Sequence, residues 1–235
     1  MQTTSSLESK TQKLIVRNNI LLVLLVLSIG YIIYQQLNNN HDVIYAKGIV
    51  IVDEEGKDRI LIGAPVPKSK DRVRDDLEKV KKAWGSEFPS EYINWYQTYH
   101  HENFGMLILD DKGFDRLAIG SPTPDPNIGK RIGPATGIEI NDEKGFERSG
   151  YGLLNVNGKN RVVLGLDNDN GTEGLSLILS DEGNTGLFMK SEYGEIFLGK
   201  TKNKNYYSKE YPFSGLVMKN DSLENLFKFN ALKKK

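Results

Sequence analysis

Four stretches of this chain repeat one pattern: aspartate or asparagine, two residues, glycine, two residues, arginine, three residues, glycine. The copies are Asp53, Gly56, Arg59 and Gly63; Asp110, Gly113, Arg116 and Gly120; Asp142, Gly145, Arg148 and Gly152; and Asn155, Gly158, Arg161 and Gly165. A pattern repeated at this strictness is the mark of an architecture built from one supersecondary unit, each unit burying its apolar face with its neighbours' help. The unit itself is legible. Asp or Asn at the first position and Gly at the fourth suit a type I turn, and a glycine in the left-handed region then closes a three-residue hairpin loop with a bulge.

Read as hairpins, the flanking residues alternate between two sheet faces. Pairing Val52 with Asp58 and Ile51 with Arg59 places Val50, Val52, Ile60 and Ile62 on one face. In the second copy Leu107, Leu109, Leu117 and Ile119 take that face, with the arginines opposite. Beyond residue 145 the turn glycines fall at 145, 158, 171, 183 and 194, the spacing of short strands joined by tight turns. About eleven strands result, and the fold class is mainly β: an antiparallel meander of repeat hairpins with a helical insertion.

Two insertions interrupt the meander, each opening on proline. Residues 121–136 read as a proline- and glycine-rich loop. Residues 64–104 read as helical: Val73, Leu77, Val80 and Trp84 stand at helical spacing behind Ser69 or Asp71 as N-cap, and "PSEYINWYQTYHH" gives a second helix capped at Ser90. At the C-terminus, 220–235 read as a short docked helix, with Leu223, Leu226, Phe227 and Phe229, and a lysine tail.

The N-terminal stretch Ile20 to Tyr34 carries no charge and follows Lys10, Lys13 and Arg17. Its ~22 Å as a helix grows toward a ~30 Å hydrocarbon core when continued to Leu37. A cleaved signal peptide lacks its A-x-A-like site here, and a core helix would show a polar stripe. The expectation is therefore an uncleaved signal-anchor: a cytoplasmic tail at 1–19, a transmembrane helix at 20–37 and a linker at 38–45. An extracytoplasmic β domain at 46–219 follows, oriented by the basic N-terminal flank.

Composition removes many chemistries. Thirty-one basic and thirty-one acidic residues cancel, so nothing favours nucleic acid. The absence of cysteine excludes disulfides, thiolate zinc sites, a cysteine nucleophile and a lipid-modified cysteine. His100, His101 and Glu102 converge poorly on one ion, His41 lies far from them in sequence, and "DNDNGTEG" places its glycine one position early for a calcium loop. No cofactor, metal or catalytic residue is expected. Carboxylates are abundant, but nothing selects one pair. The repeated arginines are expected to pair with nearby acids along the sheet rather than to bind an anionic polymer.

The aromatic run in the first insertion is the densest in the chain. Its ordinary role is to pack the helices on the sheet; its functional role would be a partner surface made by Trp84, Tyr92, Trp95, Tyr96, Tyr99 and His100. The expected function is a single-pass membrane protein displaying a non-catalytic scaffold or protein-interaction module. Its partners would be the membrane, further copies of itself as a homo-oligomer, and an extracytoplasmic protein or glycan. The alternative is a cell-envelope glycan-binding module or hydrolase at the aromatic insertion, lined by Trp84, Trp95, Tyr96 and His100.

Overall fold

A computed structural model describes residues 2–38, 43–203 and 211–232. The linker residues 39–42, His41 among them, and the last three lysines fall outside the described residues. The chain divides into two compact units, Met1–Ala46 and Lys47–Lys235. The first holds one helix, α1 (Gln2–Asn38). Within it Glu8–Leu37 is long and apolar enough to cross a membrane. The helix extends well to the N-terminal side of residue 20, because nothing in Thr11–Asn19 breaks a helical turn.

The second unit is one twelve-stranded antiparallel sheet in which each strand pairs with the next. The first six strands are β1 (Gly48–Val52), β2 (Asp58–Gly63), β3 (Gly105–Leu109), β4 (Asp115–Gly120), β5 (Ala135–Asn141) and β6 (Glu147–Val156). They are followed by β7 (Lys159–Asp167), β8 (Glu173–Ser180), β9 (Thr185–Ser191), β10 (Gly194–Thr201), β11 (Phe213–Asn220) and β12 (Asn225–Asn230). Strand β12 lies where a C-terminal helix was expected. Its alternation of Leu226, Lys228 and Asn230 with Phe227 and Phe229 suits a half-exposed strand, and pairing with β11 decides the matter.

The turns explain the pairing. At the first, Asp53 N–H donates to Lys57 O (2.9 Å), Gly56 N–H donates to Asp53 O (3.0 Å), and the Asp53 carboxylate accepts from Glu55 and Lys57 N–H (2.9 and 3.0 Å). Asp110 and Asp142 repeat the arrangement. Each of these turns inserts a bulge: Val52 pairs with Asp58, but Ile51 already pairs with Ile60, so Arg59 is the extra residue. The bulge corrects the expected faces. Ile49 and Ile51, not Val50 and Val52, stand with Ile60 and Ile62; Met106 and Ile108, not Leu107 and Leu109, stand with Leu117 and Ile119. The turn at Asn155 is different in kind. Asn157 and Gly158 both have positive φ (52° and 76°), and Val156 pairs with Lys159 without a shift, as in a two-residue type I′ loop.

The arginines of the bulged turns clip successive hairpins together. Arg59 pairs with Asp53 of its own turn (2.6 Å) and donates to Asp110 O of the next hairpin. Arg116 reaches Asp110 (4.0 Å) and donates to Asn141 O (2.9 Å); Arg148 reaches Asp142 (3.8 Å) and donates to Asp167 O (3.1 Å). Arg161, on the unbulged hairpin, pairs instead with Glu182 (3.0 Å).

One sheet face is covered except at its edge strands, where Val50 and Lys228 are exposed. Leu61, Leu107, Ala118, Glu139, Ser176, Phe188, Phe197 and Val217 stand in one cross-strand row, and each is buried. The two insertions leave from one end of the sheet, through the cis peptides Ala64–Pro65 and Ser121–Pro122, and bond to each other through Ser121 N–H to Phe104 O and Asp125 N–H to His100 O. The first forms a 3₁₀ turn (Val73–Asp75), α2 (Leu77–Trp84) and α3 (Tyr92–Tyr96). Helix α2 is capped by Asp76, whose carboxylate accepts from Glu78 and Lys79 N–H, not by Ser69 or Asp71; those two bond Asp58 on β2 instead. No side chain caps α3, so the expected Ser90 cap is absent.

The other face is different. A cross-strand row runs from Ile49 through Ile62, Met106, Ile119, Ile138, Tyr151, Leu164, Leu177, Leu187, Leu198 and Leu216 to Phe229, one large apolar residue per strand. A parallel row two residues along each strand, from Ile51 to Phe227, is apolar except for Ser149 on β6. None of these residues is buried. Beside them a row of glycines crosses β1 to β6, and its backbones crowd so closely that a Cβ at Gly137 would lie 2.2 Å from Tyr151 O.

Candidate functional site

Three places were open to carry chemistry: the aromatic insertion, the buried charges beneath it, and the bare sheet face. In the insertion Val73, Val80, Trp84, Tyr92 and Tyr96 form a buried cluster with Phe114 and Phe146 of the hairpin turns packed against it. Trp84 Nε1 donates to Lys144 O (2.7 Å) and Tyr92 Oη donates to Asn127 O (2.7 Å), so the polar ends of both rings are used within the chain. Tyr96 stacks on His101 with ring centroids 4.3 Å apart. Trp84, Tyr92 and Tyr96, expected at a partner surface, are each buried between the insertion and the sheet. Tyr99 is half-buried, while Trp95 (50% exposed) and His100 remain at the surface. Of the four residues of the alternative site, Trp84 and Tyr96 are buried against each other while Trp95 and His100 are exposed.

Beneath the aromatics lies an ionic knot that links the insertion to β4. Arg72 grips Asp115 with two hydrogen bonds (2.8 and 2.6 Å) and reaches Asp75 (3.2 Å), while Arg74 approaches the same carboxylate at 3.4 Å. Burial pushes the Asp115 carboxyl up, but the Arg72 charge and hydrogen bonds more than reverse this and hold it below the usual carboxylate range. Burial, reinforced by the Arg74 charge, takes His101 down to about 4, so its imidazole stays neutral. Every acid here is paired with an arginine, the arrangement of a structural ion pair rather than of a poised acid and base.

A second group sits over β5 to β8. A cleft of about 360 Å³ is floored by Gly150, Gly152 and Gly165 and lined by Arg131, Glu147, Asp167 and Glu173. Arg131 pairs with both Glu139 and Glu147. Burial and the neighbouring Glu139 charge push Glu147 up to about 7, with Arg131 pulling the other way. Among the described residues no group of three His, Cys, Asp or Glu side chains could hold a metal ion. The segment 167–174 forms only another turn, with Asn168 N–H bonded to Thr172 O.

The two perturbed groups give opposite pH dependences. Glu147 holds its proton more tightly in the fold than at its ordinary 4.5, so its contribution is fully present below that pH and is lost as pH rises through about 7. His101 is depressed from 6.5, so the stability it leaves intact above 6.5 is lost as pH falls toward 4. Comparing Glu147→Gln with the parent isolates the first. The variant is expected to melt a few degrees higher at alkaline pH, on a scale of ~2–4 °C per kcal/mol, with the gain shrinking as pH falls. A difference in melting temperature that is flat with pH would show that Glu147 is not the group responsible.

That leaves the bare face, a broad exposed apolar surface of the β unit. Its two rows contain no charged residue, and Tyr151, Leu177 and Leu198 are 56%, 47% and 53% exposed. The sequence marks Ile60, Ile62, Leu117, Ile119, Phe227 and Phe229 as apolar positions, but not as parts of one exposed surface. The signal that could have found them is the one-residue bulge at turns such as those of Asp53 and Asp110, which decides which half of stretches such as "GIVIV" and "GMLIL" faces the insertion. No family model, curated protein or solved structure matches this chain.

Proposed function

We propose that this chain is a single-pass membrane protein whose β unit stands outside the cytoplasm as a non-catalytic interaction scaffold, the bare sheet face being its docking surface. That face carries the reading. Two apolar rows crossing twelve strands, without a charge to orient a substrate, suit the burial of a protein surface and offer no group to move a proton or attack a bond. The basic residues Lys10, Lys13 and Arg17 before the apolar segment support a cytoplasmic N-terminus.

The absence of cysteine makes the test direct. Single variants Ser9→Cys and Glu143→Cys report the two sides of the membrane. An impermeant maleimide is expected to label Glu143→Cys in intact cells and Ser9→Cys only after permeabilisation. The paired variant Ile138→Lys and Leu177→Lys is expected to strip the full-length protein of its bound protein partners while leaving the β-sheet circular dichroism unchanged. Reversed labelling would overturn the topology, and undiminished complexes would overturn the docking surface.

A further inference from the structure

We infer that the occupant of the bare face is a second copy of this chain, the two sheets packing face to face through their paired apolar rows; this rests on the scaffold reading and names its partner. The face has the size of a stable interface. Twelve strands spaced ~4.8 Å apart and two rows ~7 Å apart, with side-chain margins, give a band of roughly 55 by 13 Å, or about 700 Å² per copy. Two such faces together remove about 1,400 Å², inside the ~1,200–2,000 Å² of stable specific interfaces and beyond the ~300–600 Å² patch a typical monomer leaves open.

Its pitch matches a second copy. The row from Ile49 to Phe229 places one large apolar side chain on every strand, and the row beside it breaks only at Ser149. A surface ruled at one strand spacing in one direction and one pleat in the other is complementary to a surface ruled identically, and the chain itself is the one certain source of such a surface. Sheets with matching inner faces pack aligned about 10 Å apart, their side chains interdigitating. Its lack of charge points the same way. A heterologous partner is usually selected by several charges or polar groups on the docking face, and these two rows have no charge and only the hydroxyls of Ser149 and Tyr151. Tethering by one helix also confines copies to a common plane, which raises their effective concentration for one another.

Cross-linking in membranes tests this on the full chain. Tyr151, Leu164 and Leu177 lie mid-row on β6, β7 and β8, nearest the axis that relates two overlapping copies. In membranes treated with a bismaleimide spanning roughly the ~10 Å between packed sheets, at least one of Tyr151→Cys, Leu164→Cys and Leu177→Cys is expected to shift to twice the chain mass. Glu143→Cys, at an exposed turn, is expected to stay monomeric. Adding Ile140→Lys and Leu166→Lys in the second row is expected to abolish the cross-link, with retained β-sheet circular dichroism showing that the fold survives. If all three face cysteines stay monomeric and also resist a monofunctional maleimide, the second copy is overturned: protection that survives transfer into detergent means that another protein covers the face and the scaffold reading stands, and protection lost there means that lipid covers it and the scaffold reading falls too. If they stay monomeric and react freely, the face is bare in the membrane and both readings fall.

Discussion

Replacing Asp115 with alanine is expected to destabilise the β unit by about 3–5 kcal/mol, the cost of breaking a buried ion pair by removing one partner. The side chains of Asp115, Arg72 and Arg74 are each only 2% exposed. Without the carboxylate, two guanidiniums remain in the interior. Arg72 keeps Asp75 and Arg74 keeps the Asp125 carbonyl, neither of which offers a second full buried charge. Asp115→Asn keeps the shape and one acceptor but not the charge, so it is expected to fall between alanine and the parent. The denaturant midpoint of the β-sheet signal in the detergent-solubilised full chain measures both. Because Arg72 and Arg74 belong to the insertion and Asp115 to β4, proteolysis within 66–104 is expected to accelerate in the same order. A loss below about 1 kcal/mol would mean that the knot is wet, as surface ion pairs are.

The contrast between the knot and the hairpins shows what the sequence could convey. A turn is written in adjacent residues. Asp53, Gly56 and their repeats specify a loop whose hydrogen bonds all close within five positions, and that much is readable without a structure. The knot joins Arg72 to Asp115 across 43 positions, and no spacing rule announces it. The arginine clips fall between. Asp53 and Arg59 are near enough to suggest each other, but the carbonyl that completes the bond belongs to the next hairpin and, for Arg59, lies beyond a forty-residue insertion.

Faces were harder than strands for a related reason. In "GIVIV" and "GMLIL" every residue after the glycine is apolar, so alternation cannot tell which half faces the insertion. A one-residue bulge then exchanges the two faces, and the sheet-wide apolar rows become visible only after every bulge is counted. At the C-terminus, Leu223, Leu226, Phe227 and Phe229 satisfy a helical spacing about as well as a strand. Pairing of Phe227 with Met218 and Phe229 with Leu216 resolves it, and a single sequence holds no information on that pairing.

Trp84→Ala and Trp95→Ala, two changes of the same kind eleven residues apart, are expected to differ by almost the full range that a point substitution spans. Trp84 is 2% exposed and packs against Tyr96 and Phe114 at ring distances of 5.7 Å. Its loss is expected to cost about 3–5 kcal/mol, as removal of a buried Trp does, and to leave the Lys144 carbonyl without its donor. Trp95 is half exposed, and its loss is expected to stay within about 0.5 kcal/mol. Thermal melts of the two full-length variants give the comparison, and equal losses would show that the insertion packs differently. The pair also separates the functional readings. A glycan site on the insertion would need an accessible ring to stack on a sugar, and Trp95 is the one tryptophan exposed enough to supply it. If Trp95→Ala leaves the melt untouched yet abolishes binding to envelope glycan, the insertion is the working surface. If it leaves both the melt and the bound partners untouched, the insertion is a lid for one side of the sheet, and the side it leaves open does the binding.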